Sequence, residues 1–237
     1  MKINGLFLPA ISLFLWAVTI QLVSAQGWQQ QVDSDIRVKL DDAVHCLHGD
    51  IRITYHNKSP ETLEFLWMHL WPNAYRNGKT AMAKQHFCDG DMFMFYALSR
   101  DLGGIDSLAF ASSGQILAWE YHPEHIDIAK VTLPSPLAPG DSVEISTPFR
   151  VDLPSGSISR MGHVGESYQI TQWYPKPAVY DEDGWHPMPY LSQGEFFSEY
   201  GTFDVRITLP SNYTVGATGD YVPGSEDNDA ELARLKE

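Results

Sequence analysis

The sequence predicts an all-β domain, an antiparallel sandwich or curved sheet, and three observations carry that prediction. From Gln31 onward the apolar residues recur with a period of two, as in Ile36, Val38 and Leu40 set around Arg37 and Lys39. Turn-forming strings punctuate the apolar runs at His48-Gly49-Asp50, Pro139-Gly140-Asp141, Pro154-Ser155-Gly156 and Asp183-Gly184. Neither an internal repeat nor a linker divides residues 28–220, so these strands belong to one domain.

Along the chain, the first segment is of a different kind. Residues 1–25 carry Lys2, then an apolar stretch from Leu6 to Val18, and close on the small residues Val23-Ser24-Ala25. That order is the one a secretory signal peptide shows, and Pro9, Gln21 and the short span argue against a retained membrane anchor. The expectation is an exported protein, periplasmic or extracellular, without a stable anchor after cleavage. A β domain over residues 26–220 follows. Its strands include Ile51, Ile53 and Tyr55; Val143, Ile145 and Thr147; and Phe203, Val205, Ile207 and Leu209, each expected to bury one face. The run Leu63 to Trp71 is apolar on both faces and reads as a central strand covered on both sides. Residues 80–98 lack alternation and hold Ala, Met, Lys and Gln, so a short helix or ordered loop is expected there. Residues 221–237 open with an acidic break. They end in Ala230 to Glu237, the start of a helix too short to stand alone, which suggests a longer polypeptide.

Composition narrows the function. With 16 Lys and Arg against 30 Asp and Glu, the net charge of −14 disfavours nucleic acid, whose binding rests on clustered cations. Two cysteines, Cys46 and Cys88, make neither a disulfide framework nor a four-thiolate zinc site. A His-Glu-x-x-His string is absent: His122-Pro123-Glu124-His125 has another spacing, and Pro123 breaks the helix that motif needs. His45 and His48 point to opposite faces of an extended strand, which disfavours joint ligation; His86, Cys88 and Asp91 can gather only on a loop. No metal site is assigned in this chain. Asn57-Lys58-Ser59 and Asn212-Tyr213-Thr214 match the glycosylation sequon.

The stretch from Ser167 to Asp181, continuing into Gly184 to Tyr190, is dense in Pro, Trp and Tyr. These residues lose little entropy when held in one shape. Trp173, Tyr174, Tyr180, Asp181 and Trp185 therefore form either a cleft or interface surface or a buried aromatic corner. A free-standing sandwich binding glycan or protein through Trp173, Tyr174, Trp185 and Tyr190 is an alternative function.

Four strings, Phe65 to Tyr75, Tyr168 to Asp181, Gly184 to Tyr190 and Asp204 to Gly219, together resemble the N-terminal β domain of secreted bacterial zinc metallopeptidases of the aminopeptidase N family, which are gluzincins. The resemblance spans about Trp28 to Gly219 and implies a saddle-like curved β domain. In that family a thermolysin-like catalytic domain follows in the same polypeptide and holds the zinc through His-Glu-x-x-His and a downstream Glu. Neither that motif nor the family's Gly-x-Met-Glu-Asn strand occurs here, so the resemblance implies a chain inactive alone, with peptide substrate and catalytic domain as its partners. One role carries over. Family members bind the substrate α-amine through a Gln or Glu at a fixed interval before the Asp of Phe-Pro-Cys-Phe-Asp. The interval from Gln169 to Asp181 matches without a gap. The family's Arg falls on Tyr174, and the string becomes Pro177-Ala178-Val179-Tyr180-Asp181. Gln169 is thus the implied amine acceptor, a role its carbonyl oxygen suits.

Overall fold

In the computed structural model, residues 27–194 and 196–222 are described; the expected signal segment and the expected terminal helix lie outside them. The chain begins with a long hairpin. Strand β1 (Gln31–Asp41) and strand β2 (Cys46–His56) pair antiparallel from Gln31 opposite His56 to Asp41 opposite Cys46. Strand β3 (Leu63–His69) leads into a 3-10 turn at Trp71–Tyr75, then helices α1 (Ala81–Cys88) and α2 (Phe93–Tyr96). The hydroxyl of Thr80 caps α1 by accepting from the Ala83 amide at 3.2 Å, so the non-alternating stretch at 80–98 is helical as expected.

Short strands follow: β4 (Gly104–Asp106), β5 (Ala111–Ser112), β6 (Gln115–Ile116) and β7 (Trp119–Tyr121). Two long ones come next, β8 (Ile128–Leu137) and β9 (Ser142–Asp152). The last are β10 (Gly162–Val164), β11 (Ser167–Gln169), β12 (Lys176–Pro177), β13 (Val179–Asp181), β14 (Gly184–His186) and β15 (Phe203–Thr208).

These strands make a seven-stranded sheet in the order β15-β1-β2-β9-β5-β6, with β4 also on β9. A four-stranded sheet has the order β12-β3-β8-β7, and β10–β11 and β13–β14 form separate hairpins. The chain passes from the small sheet to the large one between β8 and β9, where Gly140 takes a φ of 85°, open to glycine and rare for other residues. One apolar cluster joins the two sheets: Ile36, Ile51, Ile53 and Val151 come from the large sheet, and Leu66, Met68 and Val131 from the small one. Each such fully buried side chain contributes about 1.5–3 kcal/mol, which makes this layer the main source of stability. The all-β architecture read from the sequence is the observed one.

Three details differ from the sequence-based expectations. The edge strand β15 runs parallel to β1, pairing Ser34 with Phe203 through Lys39 with Thr208, whereas antiparallel pairing was expected throughout. All six residues of β15 are exposed, so it has no buried face: it extends the large sheet beyond the area its partner layer covers. Strand β3 is buried on one side at Leu66 and Met68, but on the other Phe65 and Trp67 are only half-buried, and Glu64, at the register shift between Leu63 and Phe65, is exposed. Its second face is partly covered by Trp185, whose ring stacks 6.0 Å from Phe65.

The Asn57 sequon has a structural role. Asn57 is fully buried and donates its side-chain amide to the carbonyls of Glu61 at 2.7 Å and Leu137 at 3.0 Å. An amide used in this way is inaccessible to glycosylation in the folded protein.

Candidate functional site

Residues 162–186 carry the site candidates and form two hairpins joined through the short strand β12 at the edge of the small sheet. Hairpin β10–β11 is pinned at Gly162, where a Cβ would lie 2.6 Å from the Pro154 carbonyl oxygen, so only glycine fits. Tyr168 anchors the other strand, its hydroxyl 2.7 Å from His45 Nδ1 and its ring packed on His163 and Tyr213. Gln169 ends β11 opposite Gly162. It is exposed, and among the described residues its side chain makes no hydrogen bond. Its carbonyl oxygen is therefore free to accept from a ligand.

The next turn centres on a buried cation. Gln172 adopts a φ of 53° and its Oε1 accepts from Lys176 Nζ at 2.9 Å. Lys176 also donates to Ser198 Oγ at 2.8 Å and lies 3.9 Å above the Trp71 ring. Among the described residues no carboxylate pairs with it, and burial draws its ammonium down to about 8. His69 stacks on the same Trp71 ring at 4.4 Å; burial, then the Lys176 charge, hold its imidazole near 3, so it is neutral. A lysine between two prolines, Pro175 and Pro177, was the available signal for this residue, and the sequence reading passed over it.

Hairpin β13–β14 forms an open pocket of about 330 Å³ lined by Trp28, Pro60, Glu61, Tyr180, Asp181, Glu182, Asp183 and Gly184. The Tyr180 hydroxyl donates to Glu61 Oε2, which pushes the phenol up to about 12. His186 donates to Asp181 Oδ1 at 2.7 Å and holds that carboxyl below its usual range. Trp28 packs its ring 5.4 Å from Tyr180. Carboxylates beside two aromatic rings complement a cation and repel an anion. Glu199 closes this region from behind, its Oε1 accepting from the Tyr180 amide at 2.8 Å.

Of the residues singled out in the sequence, Tyr180 and Asp181 meet at this pocket, and Gln169 is not among its lining. Trp173 packs on Phe149, Tyr174 lies edge-on to Phe203, and Trp185 is wedged among Tyr55, Phe65 and Tyr180. Tyr190 is buried at 1% exposure, so the exposed aromatic face drawn through Trp173, Tyr174, Trp185 and Tyr190 does not exist as one surface. Trp173, Tyr174 and Trp185 are half-buried, each packed on rings of other strands.

Among metal-type residues, His86 Nδ1 meets Asp91 Oδ2 at 2.9 Å while Cys88 is exposed outside that pair. His45 turns away from His48, at a φ of 51°, and stacks 3.6 Å from His163. Instead Asp41, Cys46 and His48 bring their ligand atoms within 4.8 Å of one another. Among the described residues no helix is long and apolar enough to cross a membrane.

No protein-family profile matches the chain, and no curated protein matches it. Solved structures do. A zinc metallopeptidase of the M1 class from Deinococcus radiodurans is 17% identical; the match covers 84% of this chain and 36% of that one, with a TM-score of 0.44. A mutant two-domain M1 zinc metallopeptidase bound to L-arginine is 18% identical over 84% of this chain and 37% of its own, with a TM-score of 0.45. The chain thus spans little more than a third of the length of these structures.

Proposed function

We propose that this chain is the non-catalytic β domain of an exported zinc metallopeptidase, and that Gln169 accepts a hydrogen bond from the free α-amine of the peptide substrate. What carries the reading is the uninterrupted interval from Gln169 to Asp181, together with the exposure of Gln169 on a pinned hairpin, its carbonyl oxygen unengaged. A rigid base with a free acceptor at its tip suits the fixing of one end of a substrate. The chain holds no residues that fit the family's zinc ligands, so the hydrolytic centre belongs to a catalytic domain of the same polypeptide and this chain alone does not hydrolyse peptides.

The first test is to read the coding sequence past Glu237: a His-Glu-x-x-His string within the following few hundred residues is expected, and its absence removes the peptidase reading. In that complete protein, Gln169→Ala is expected to lower kcat/KM on peptides with a free amine by about 10- to 100-fold, the range of one hydrogen bond to a charged group. The same variant should leave N-acetylated peptides unchanged, and equal losses on both would rule out amine recognition. Export is tested by the N-terminus of the secreted protein, expected at Gln26.

A further inference from the structure

We propose that Asp41, Cys46 and His48 form a zinc-type metal site on the outer face of the large sheet, at the end of the β1–β2 hairpin. The turn through Asp42, Ala43, Val44 and His45 sets Asp41 directly opposite Cys46 in the ladder. The two-residue period of β2 then puts His48 on the same face as Cys46. Sγ of Cys46 lies 3.3 Å from Nε2 of His48, and all three donor atoms are within 4.8 Å of one another. Ligands around a tetrahedral zinc, with bonds of about 2.0–2.3 Å, stand about 3.3–3.8 Å apart. The Cys46–His48 edge already has that length, and the Asp41 carboxylate needs to approach by about 1 Å. Sulfur, imidazole and carboxylate together suit zinc better than calcium or magnesium, which take oxygen ligands.

The neighbours define which groups take part. Arg150, opposite His48 on β9, lies on this face beside the Cys46 sulfur. Asp152, opposite Cys46 on the other side, is held by Arg150 at 2.6 Å, so the carboxylate ligand comes from Asp41. Cys46 is fully buried beneath His48, and burial raises its thiol. Binding forms a metal–sulfur bond and releases the thiol proton to water, with no electron transferred. Three protein ligands leave the fourth zinc position to water.

Cobalt(II) tests the site in the full chain, because a thiolate-to-cobalt charge-transfer band reports a cysteine ligand directly and Cys46 and Cys88 are the two cysteines. One equivalent of cobalt is expected to give this band, and zinc should displace it. Cys88→Ser should keep the band and Cys46→Ser should lose it. His48→Gln and Asp41→Asn, at positions outside the core, should keep the native circular dichroism and weaken affinity by at least about tenfold, as loss of a ligand exceeds loss of its supporting partner. The proposal falls if no thiolate band forms, if the band follows Cys88, or if His48→Gln binds with the affinity of the unaltered chain. Should Cys46→Ser fail to fold, the His48 and Asp41 variants decide alone.

Discussion

Glu199 does not behave as the surface acid its position in the sequence suggests. It is 8% exposed, and its Oε2 has no hydrogen-bond partner among the described residues. Burial pushes its carboxyl up from 4.5 to about 7, the nearby Asp181 adds to the shift, and the Tyr180 amide opposes it. The folded state therefore holds a proton that the unfolded chain has released between those two values. Its stability contribution is full below about pH 4.5 and is lost as pH rises to about 7, by up to about 3 kcal/mol. His69 acts in the opposite sense: its pKa is depressed from 6.5 to about 3, so the unfolded state gains the proton first as pH falls. The two profiles overlap and flatten the total, so the signal is the difference between variant and parent. Glu199→Gln keeps an acceptor for Tyr180. Its urea midpoint should match the parent at pH 4 and exceed it increasingly up to pH 7.5; a difference that does not change with pH would refute the assignment. Nothing in the local sequence distinguishes Glu199 from a surface acid, because the group it meets, the Tyr180 amide, comes from a separate strand.

At the scale of elements, the attachment of β15 to β1 depends on one glycine. A Cβ at Gly201 would lie 1.7 Å from the Val32 carbonyl oxygen, a distance no substituent tolerates. Around it, Val32 N donates to Tyr200 O and Ser34 N to Thr202 O, both at 2.8 Å, and Asp33 accepts from the Thr202 amide and hydroxyl. That amide is the main cause holding the Asp33 carboxyl near 2. Gly201→Ala should break this clamp and destabilise the fold by about 2 kcal/mol or more. Hydrogen exchange would show the loss at Val32 and Ser34 while the β2–β9 ladder stays protected; an unchanged pattern would mean that β15 is held elsewhere. The contrast also shows which elements were legible. Strands β1, β2 and β9 each run 11 residues with one buried face, so their period is visible in the sequence. Strands β10 to β14 have two or three residues each, too few for any period, and are held by Gly162, Lys176 and the His186–Asp181 contact. The parallel direction of β15 carries no local pairing signal, because its partner β1 lies at the opposite end of the described chain. For the site, the proposal for Gln169 rests on a string of the sequence, whereas the pocket at Tyr180 and Asp181 could not be read there, since Trp28 and Glu61 reach it from distant parts of the chain.

For the whole molecule, the unbalanced feature is the inward side of β15. Phe203, Val205 and Ile207 stand opposite Ser34, Ile36 and Val38, so they continue the row of the core, yet they are 52%, 41% and 38% exposed. A strand edge lined with large apolar residues is the kind of surface proteins cover. Under the proposed reading the cover is the remainder of the same polypeptide, which gives a prediction with two arms. In the 237-residue chain, Val205→Lys replaces an exposed side chain and should change stability by no more than about 0.5 kcal/mol. In the complete protein the same substitution would bury a charge without a partner and should destabilise by about 2 kcal/mol or more. Urea denaturation of both proteins, each with and without the substitution, reads the difference. Equal, small effects in the two would show that β15 stays open to solvent in the complete protein, and that the catalytic domain packs on some other face of this sandwich.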